Sequence, residues 1–213
     1  MKTIIYVVRH GNSVANSDKV FAGHTDSPLS ELGEKQASYV TEYFEDKQVD
    51  VIYSSDLSRA VSTVKGVADS KGLAVIPNQN LREIYAGKWE NLSFDTLQEK
   101  YGNGFSMWRT GLYEAQPDGG ESVQEMAERV FNALTEIAKT ESGKTVVIAT
   151  HSTPLRSIVS NIMYGTFARI GEITRLSNAS ITKLCYEDGV FTILDYCITE
   201  HLKGLITVLP QNI

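Results

Sequence analysis

Apolar residues occur along this chain in two patterns, as short continuous runs and at helical spacing, and together these patterns predict a regular succession of strands and helices. Continuous apolar runs, typical of strands buried on both faces of a parallel sheet, occur at 3–8, 51–53, 73–76 and 145–149. Apolar residues at helical spacing occur at 30–44, 58–71, 122–139 and 154–164. Strands that alternate with helices predict an α/β fold. We expect a three-layer sandwich, with a mostly parallel central sheet and helices on both faces.

The C-terminal part of the chain departs from this succession. Residues 180–186 and 190–196 both alternate apolar and polar positions, and they flank Asp188-Gly189, a dipeptide typical of two-residue hairpin turns. We therefore expect the parallel sheet to carry an antiparallel edge strand.

Residues 85–120 show neither pattern and are rich in glycine and aromatic residues. We expect this segment to form a lid or specificity insertion, with short helices, within a single domain spanning 1–213. Most of its aromatic side chains are expected in a small core. The aromatic candidates for substrate contact are Phe21, Tyr85, Phe105, Trp108 and Tyr113. An aromatic lid favours a substrate with an apolar or ring-containing portion.

The composition restricts the possible classes of function. The chain has 213 residues, 42% of them hydrophobic, which suffices for one full core. A net charge of −6 argues against a nucleic-acid partner, and every apolar run is too short to cross a bilayer, so we expect no membrane partner. The first apolar run ends at Arg9 with no cleavage site after it, and Cys185 and Cys197 form no CxxC motif. We expect a cytoplasmic protein with reduced thiols.

Residues suited to bind an anion follow each predicted parallel strand. Arg9 and His10 follow the first strand, and Arg59 lies in the polar stretch after the second. Glu83 follows the third strand and His151 the fourth. Because the carboxyl ends of parallel strands meet at one edge of a sheet, where open α/β sheets bind ligands, we expect these side chains to converge.

This set of side chains suits phosphate chemistry. Each arginine offers a fork of N–H donors that matches two phosphate oxygens. One imidazole could attack phosphorus as a nucleophile, and the carboxylate could protonate the leaving oxygen before taking a proton from water.

Several ordered motifs carry a family resemblance. Arg9-His10-Gly11, with Ser13 and Asn16, resembles the RHGx[ST]xxN signature of the histidine phosphatase superfamily, which includes the cofactor-dependent phosphoglycerate mutases. The segments DSPLSELG at 26–33, SSDLSRA at 54–60 and LREIYAGKWE at 81–90 resemble further motifs of that family. The set is completed by GGES at 119–122 and TH at 150–151. The match spans roughly residues 3–156.

The resemblance implies a role for each matching position. His10 would be the nucleophile that becomes phosphohistidine, and Glu83 would be the proton donor. Arg9, Arg59 and His151 would form the phosphate pocket. The other residues expected to bind phosphate or substrate are Ser13, Asn16, Ser152 and Gly11, whose carbonyl would also hold the second ring nitrogen of His10. The resemblance implies neither a metal nor any other cofactor.

The chain differs from the family pattern at three positions. Asn12 stands where glutamate or glutamine is frequent, Ser152 follows the second histidine where glycine is usual, and Asn91 replaces the glycine of a WEG motif. None of these is a proposed catalytic group, and Ser152 still has a backbone N–H to offer.

The favoured function is hydrolysis of a small phosphorylated metabolite through a phosphohistidine. One alternative is a phosphoglycerate mutase, which needs extra cationic groups around a second phosphate. In the insertion Lys88, Lys100 and Arg109 are scattered singly, which favours hydrolysis. Another alternative is a non-catalytic phosphate-binding module, which would need neither His10 nor Glu83. Sugar phosphates, phosphoserine, ribazole phosphate and other esters stay open as substrates, and so does the oligomeric state.

Overall fold

A mixed sheet forms the centre of the molecule. The computed structural model describes residues 1–207, without the side chain of Arg109. The sheet contains six strands in the order β3-β2-β4-β1-β5-β6. The strands are β1 (Thr3–Arg9), β2 (Val51–Ser54), β3 (Val75–Pro77), β4 (Thr145–Thr150), β5 (Ile181–Glu187) and β6 (Val190–Ile198). Strands β1 to β4 pair in parallel, and the hairpin β5-β6 joins β1 in the antiparallel direction.

Six α-helices lie around the sheet within residues 1–207. They are α1 (Val14–Ser17), α2 (Glu31–Phe44), α3 (Ser58–Lys71), α4 (Phe94–Thr110), α5 (Val123–Thr140) and α6 (Ser152–Tyr164). Short 3-10 helices lie at Gln79–Leu81, Gly87–Trp89, Leu112–Glu114, Ile170–Glu172 and Glu200–Leu202. None of the helices in residues 1–207 is long and apolar enough to cross a membrane.

The apolar side chains of β1 divide between two cores, one on each face of the sheet. Ile5 and Val7 belong to a core that includes residues of α5 and α6, whereas Tyr6 and Val8 belong to a core with residues of α2 and α3. Successive residues of a strand point to opposite faces, so a continuous apolar run is what a doubly covered strand requires. The predicted three-layer arrangement is confirmed.

Local capping accounts for where the helices begin. The side chain of Ser30 accepts a hydrogen bond from the backbone N–H of Gly33 at the start of α2, and Ser122 and Glu125 form a reciprocal capping box at the start of α5. The main difference from the prediction is α6, which begins at Ser152, two residues before Pro154. Proline is tolerated in a first helical turn because its missing N–H would have no partner inside the helix.

The sequence predicts short helices in the insertion, but the structure also contains a long one there. It contains α4, which has 17 residues and is interrupted at Gly102, where φ is +41°. Trp89 and Phe105 are fully buried, so the prediction that these aromatics build a core is confirmed for these two. Asn91 has φ +63°, a left-handed conformation that glycine adopts most easily and asparagine tolerates. That conformation accounts for the glycine usual at this position.

Candidate active site

A cavity opens at the carboxyl edge of the parallel strands. Arg9 and His10 reach it from the end of β1, and Arg59 reaches it from the first turn of α3. Glu83 arrives from the loop after the 3-10 helix at Gln79–Leu81, and Ser152 from the start of α6. The parallel pairing of β1 with β4 and of β4 with β2 brings these strand ends together. The predicted convergence therefore occurs.

The backbone and the ring of His10 are both held in place. Its backbone N–H donates to the Thr150 carbonyl at 2.9 Å, and its carbonyl accepts from Ala179 N and Asn178 Nδ2, both at 3.1 Å. Its ring Nδ1 lies 2.7 Å from the Gly11 carbonyl oxygen. A carbonyl can only accept, so Nδ1 carries the proton. In the neutral ring the lone pair is then on Nε2, which makes Nε2 the nucleophilic atom.

Helix α2 fixes the loop that follows His10. A Cβ atom on Gly33 would lie 1.9 Å from the carbonyl oxygen of Asn12, so only glycine permits this approach. The side chain of Asn12 accepts hydrogen bonds from Ser17 Oγ at 2.8 Å and Ser30 Oγ at 2.7 Å, and its backbone N–H donates to Gln36 Oε1 at 2.7 Å. Asn12 is thus a structural residue that ties the loop to α1 and α2.

His151 lies beside His10. The two ring centroids are 5.1 Å apart, and His151 Nε2 lies 2.8 Å from Ser55 Oγ, in the turn after β2. Its Nδ1 is buried without a hydrogen-bond partner among the described residues. His151 is fully buried and is not among the residues that line the cavity. It therefore contacts the predicted nucleophile rather than the cavity surface.

Burial keeps both histidines neutral. Burial is the main cause that lowers the pKa of His10 well below its usual value, with further lowering by Arg59 and Arg9. Burial also lowers the pKa of His151 well below its usual value, followed by the charge of Arg59. Both imidazoles are consequently uncharged at neutral pH. A neutral His10 can act as a nucleophile without first losing a proton.

Backbone carbonyls hold the two predicted phosphate arginines. Arg9 Nη1 donates to the Leu176 carbonyl, and Arg59 donates to the carbonyls of Gly23 at 2.8 Å and Thr25 at 3.0 Å. Neither forms a salt bridge with a carboxylate in the described part of the chain. Burial lowers the pKa of Arg9 to about 10, so the group stays protonated at pH 7. Two positioned cations thus face the cavity with their charges unneutralised by such pairs.

Glu83 is held through both its backbone and its carboxylate. Its carbonyl accepts from His24 Nε2 at 2.8 Å and from Arg129 Nη2 at 3.3 Å. One carboxylate oxygen accepts from its neighbour Ile84 N at 2.9 Å, and the other from Thr153 N in the first turn of α6 at 3.3 Å. The carboxylate therefore faces the cavity next to the helix start that also contributes Ser152.

The structure assigns different positions to the predicted site residues. The lining of the cavity includes Arg9, His10, Ser13, Asn16, Arg59, Glu83 and Ser152. Gly11 is absent from that lining, in contrast to the expectation that it binds phosphate. Its N–H donates to Thr63 Oγ1 at 2.8 Å and its carbonyl faces the His10 ring, so it has no free backbone donor for an anion. Gly11 acts on the site only through His10.

The cavity also contains residues that the sequence analysis did not single out. Arg156 from α6 and Arg175 from the loop before β5 line it, and so does Phe94 from α4. No motif marks the two arginines, because one lies inside a helix and the other in a segment without periodicity. Phe21 and Trp108, both predicted, line the cavity with ring centroids 5.1 Å apart.

The other three aromatic candidates lie away from the cavity. Phe105 is fully buried in the core, Tyr113 packs against that core, and Tyr85 is exposed beside a separate surface pocket. Of the scattered basic residues, Lys88 pairs with Asp118 at the surface, and Lys100 lies over the ring of Tyr101. The side chain of Arg109 lies outside the described structure.

We expect the two neutral histidines to make the protein less stable in mild acid. The unfolded chain binds protons on these residues below about pH 6.5, whereas the folded chain, with its lowered pKa values, does not. The contribution of each neutral histidine to the free energy of unfolding is thus fully present above about pH 6.5. It falls by up to about 1.4 kcal/mol per pH unit per histidine as the pH decreases.

Urea unfolding at pH 7.5, 6.5 and 5.5 measures this effect. We expect the unfolding free energy of His10→Gln and His151→Gln to depend less steeply on pH than that of the unmodified protein. The comparison between variants removes the contribution of carboxylates, which is common to all three proteins. Parallel curves would show that the two histidines titrate alike in the folded and unfolded states.

Known proteins resemble this chain over nearly its whole length. A family model described as the histidine phosphatase superfamily, branch 1, matches residues 5–199. The chain is 31% identical over 198 residues to phosphoserine phosphatase 1 of Hydrogenobacter thermophilus, covering 93% of each chain. It is 34% identical over 189 residues to a Klebsiella pneumoniae protein named "Probable phosphoglycerate mutase GpmB", covering 87% of this chain and 86% of that protein.

A solved structure extends the comparison to the fold. The structure of mycobacterial glucosyl-3-phosphoglycerate phosphatase in complex with VO3 superposes with a TM-score of 0.84. It is 26% identical in sequence, and the match covers 91% of this chain and 98% of that chain.

Proposed function

Because the chain belongs to the histidine phosphatase superfamily, we propose that it hydrolyses a small phosphorylated metabolite through a phosphohistidine on His10. The observation that carries this proposal is the contact of His10 Nδ1 with the Gly11 carbonyl, 2.7 Å away, in a cavity lined by arginines. That contact leaves the lone pair of a neutral imidazole on Nε2. A binding module would need neither this tautomer nor an acid such as Glu83.

The first step transfers the phosphoryl group to the protein. Nε2 of His10 attacks phosphorus, the P–N bond forms, and the bond from phosphorus to the ester oxygen breaks. Glu83 gives its proton to that oxygen, so the alcohol leaves neutral. Arg9 and Arg59 stabilise the charge on the phosphoryl oxygens with guanidiniums that are already held in place by backbone carbonyls. His151 lies beside His10 but outside the cavity lining, so we assign it to the support of the His10 ring rather than to contact with the phosphoryl oxygens.

The second step returns the protein to its starting state. Glu83, now ionised, takes a proton from a water molecule, and the oxygen of that water attacks phosphorus. The P–N bond breaks, the electron pair returns to Nε2, and inorganic phosphate leaves. Glu83 is again protonated and His10 again neutral, so protons and charges balance over the cycle.

We further propose that the hydrolysis is independent of metal ions and takes place in the cytoplasm. The charges that the reaction needs are supplied by arginines, and the residues that the structure describes contain no group of three or more His, Cys, Asp or Glu side chains that could hold a metal ion. Both cysteines are free thiols, which suits a reducing compartment. The segment 85–120, with Trp108 and Phe94 at the cavity, is proposed to select the organic part of the substrate.

A phosphoglycerate mutase is the second candidate, and two observations favour it. Relatives with that name are 33–35% identical to this chain. In addition, Arg156 and Arg175 lie in the cavity, and cations of this kind could hold a second phosphate. The scattered basic residues of the insertion, which favoured hydrolysis in the sequence, therefore do not decide between the two reactions.

Product analysis separates the candidates. In excess chelator we expect steady release of nitrophenol and inorganic phosphate from p-nitrophenyl phosphate, at the same rate as with added magnesium. With 3-phosphoglycerate, a hydrolase releases phosphate and glycerate, whereas a mutase forms 2-phosphoglycerate and releases almost no phosphate. Isomerisation without phosphate release would replace hydrolysis by the mutase reaction. Absence of any turnover or protein phosphorylation would contradict both enzymes.

A further inference from the structure

We infer that Arg156 and Arg175 form a second anion subsite, and that the substrate carries a second anionic oxygen group, a carboxylate or a phosphate, close to the ester. The inference rests on the proposed function, because it takes the phosphoester to be bound at His10, Arg9 and Arg59. It adds a substrate class that the aromatic lid alone does not indicate.

Arg156 is a buried and fully oriented cation. Only 9% of the residue is exposed, and it lines the same cavity as His10. Its Nε donates to the Ile173 carbonyl at 2.9 Å and its Nη2 to the Ile170 carbonyl at 3.1 Å. Two carbonyls engage two of the five N–H donors of the guanidinium, and the others stay available for a ligand in the cavity.

The partners of Arg156 differ from those of the arginines outside the cavity. Arg82 pairs with Asp56, Arg129 pairs with Glu121, and Arg169 pairs with Glu172. Within residues 1–207 no such salt bridge involves Arg156. It shares this property with Arg9 and Arg59, the two arginines assigned to phosphate. Carbonyls orient a guanidinium without neutralising it, which is the arrangement that an anion site needs.

The charges in the cavity support the same conclusion. Its lining in the described chain contains four arginines and one carboxylate, Glu83. Arg156 and Arg175 line the same cavity, so their like charges repel each other. Burial is the main cause that lowers the pKa of Arg156 to about 10, and the charge of Arg175 is the second cause. Arg175 and Arg156 also lower the pKa of Arg9. One phosphate at Arg9 and Arg59 leaves positive charge around Arg156, and a second anion there would relieve the repulsion.

Helix α6 sets the distance between the two subsites. Ser152 and Arg156 both line the cavity and are four positions apart on α6, so they lie on the same face, about 6 Å apart at their Cβ atoms. Ser152 follows His151, whose ring lies beside that of His10, so Ser152 lies at the end of the cavity where the phosphoester is proposed to bind. A second anion at Arg156 would thus be roughly one helical turn from the phosphoester, which suits a substrate with a short carbon skeleton.

Three esters with the same three-carbon skeleton test this inference. Glycerol 3-phosphate has one anionic group, 3-phosphoglycerate adds a carboxylate, and glycerol 1,3-bisphosphate adds a second phosphate. We measure kcat/KM for each ester from the phosphoryl transferred, counting released phosphate and phosphoprotein together. At least one doubly anionic ester is expected to exceed glycerol 3-phosphate by about tenfold or more, since a charge-assisted hydrogen bond has this order of effect. The ester that does so identifies the second group.

Variants of the arginines locate the effect. Arg175→Gln is the principal variant, because Arg175 is only half-buried and its replacement disturbs the core least. We expect it to lower the preference for the doubly anionic ester about tenfold, mainly through KM, and Arg175→Lys to restore part of it. Arg156→Gln is expected to act in the same direction, with its folding checked by thermal unfolding. The control is Arg169→Gln, a surface arginine of the same segment outside the cavity, which should leave the preference unchanged.

The possible results distinguish failure of the second anion subsite from failure of the proposed phosphatase activity. Equal kcat/KM for all three esters, or a preference that survives both arginine replacements, would overturn the second subsite while leaving phosphohydrolase activity intact. A protein that transfers phosphoryl groups from none of the three esters and from no aryl phosphate would contradict the proposed function itself.

Discussion

Replacing His10 with alanine is expected to reduce the hydrolysis of p-nitrophenyl phosphate by about 10⁴-fold or more, because the proposed mechanism has no other group to accept the phosphoryl. His10 is the cavity residue whose ring tautomer is set by a backbone contact, and burial keeps it neutral. The arginines would remain in the variant. Substrate binding should therefore weaken far less than turnover.

Trapping of the intermediate tests this directly. The protein is mixed with ³²P-labelled ester and quenched within milliseconds, and bound label is measured before and after acid treatment. We expect acid-labile label, typical of a P–N bond, in the unmodified protein and none in His10→Ala. His201→Ala serves as the control, because His201 is a histidine outside the cavity lining and should keep the label. Equal turnover by His10→Ala would show that another residue is the nucleophile.

Glu83→Gln is expected to reduce turnover by about 10²- to 10⁴-fold with alkyl esters, and less with p-nitrophenyl phosphate. An alkoxide is a poor leaving group and requires the proton of Glu83, whereas nitrophenolate can leave without it. The second step needs Glu83 as a base whatever the ester. Glutamine keeps the size of the side chain but can supply neither function.

The variant should consequently stall as phosphoprotein when it reacts with the aryl ester. We expect a rapid burst of nitrophenol, about one per active site, followed by slow release, with phosphohistidine accumulating during the slow phase. Glu99→Gln, at an exposed position of α4, is the matched control and should show no burst beyond that of the unmodified protein. A uniform loss of rate with both classes of ester and no accumulation would argue against Glu83 as the acid and base.

Most of the framework could be predicted because it depends on local patterns. The apolar run of β1 marks a strand covered on both faces, and Ser122 with Glu125 marks the start of α5 through contacts within one helical turn. Helix α6 was predicted to begin at Pro154, two residues after its observed start at Ser152. Proline commonly marks the beginning of a helix, but any position of the first turn tolerates it. The insertion was predicted least well, because its residues pack by mutual aromatic contacts that follow no fixed period.

The sequence by itself determined which side chains stand at the strand ends and that these strands are parallel, because strand periodicity and short motifs are local properties of the chain. Tertiary structure alone decided how these side chains are used. It buried His151 behind His10, engaged both backbone groups of Gly11, and brought Arg156 and Arg175 into the cavity. These outcomes depend on contacts between segments far apart in the chain. Nothing in the neighbouring sequence encodes them separately, so they follow only from the packing of the whole molecule.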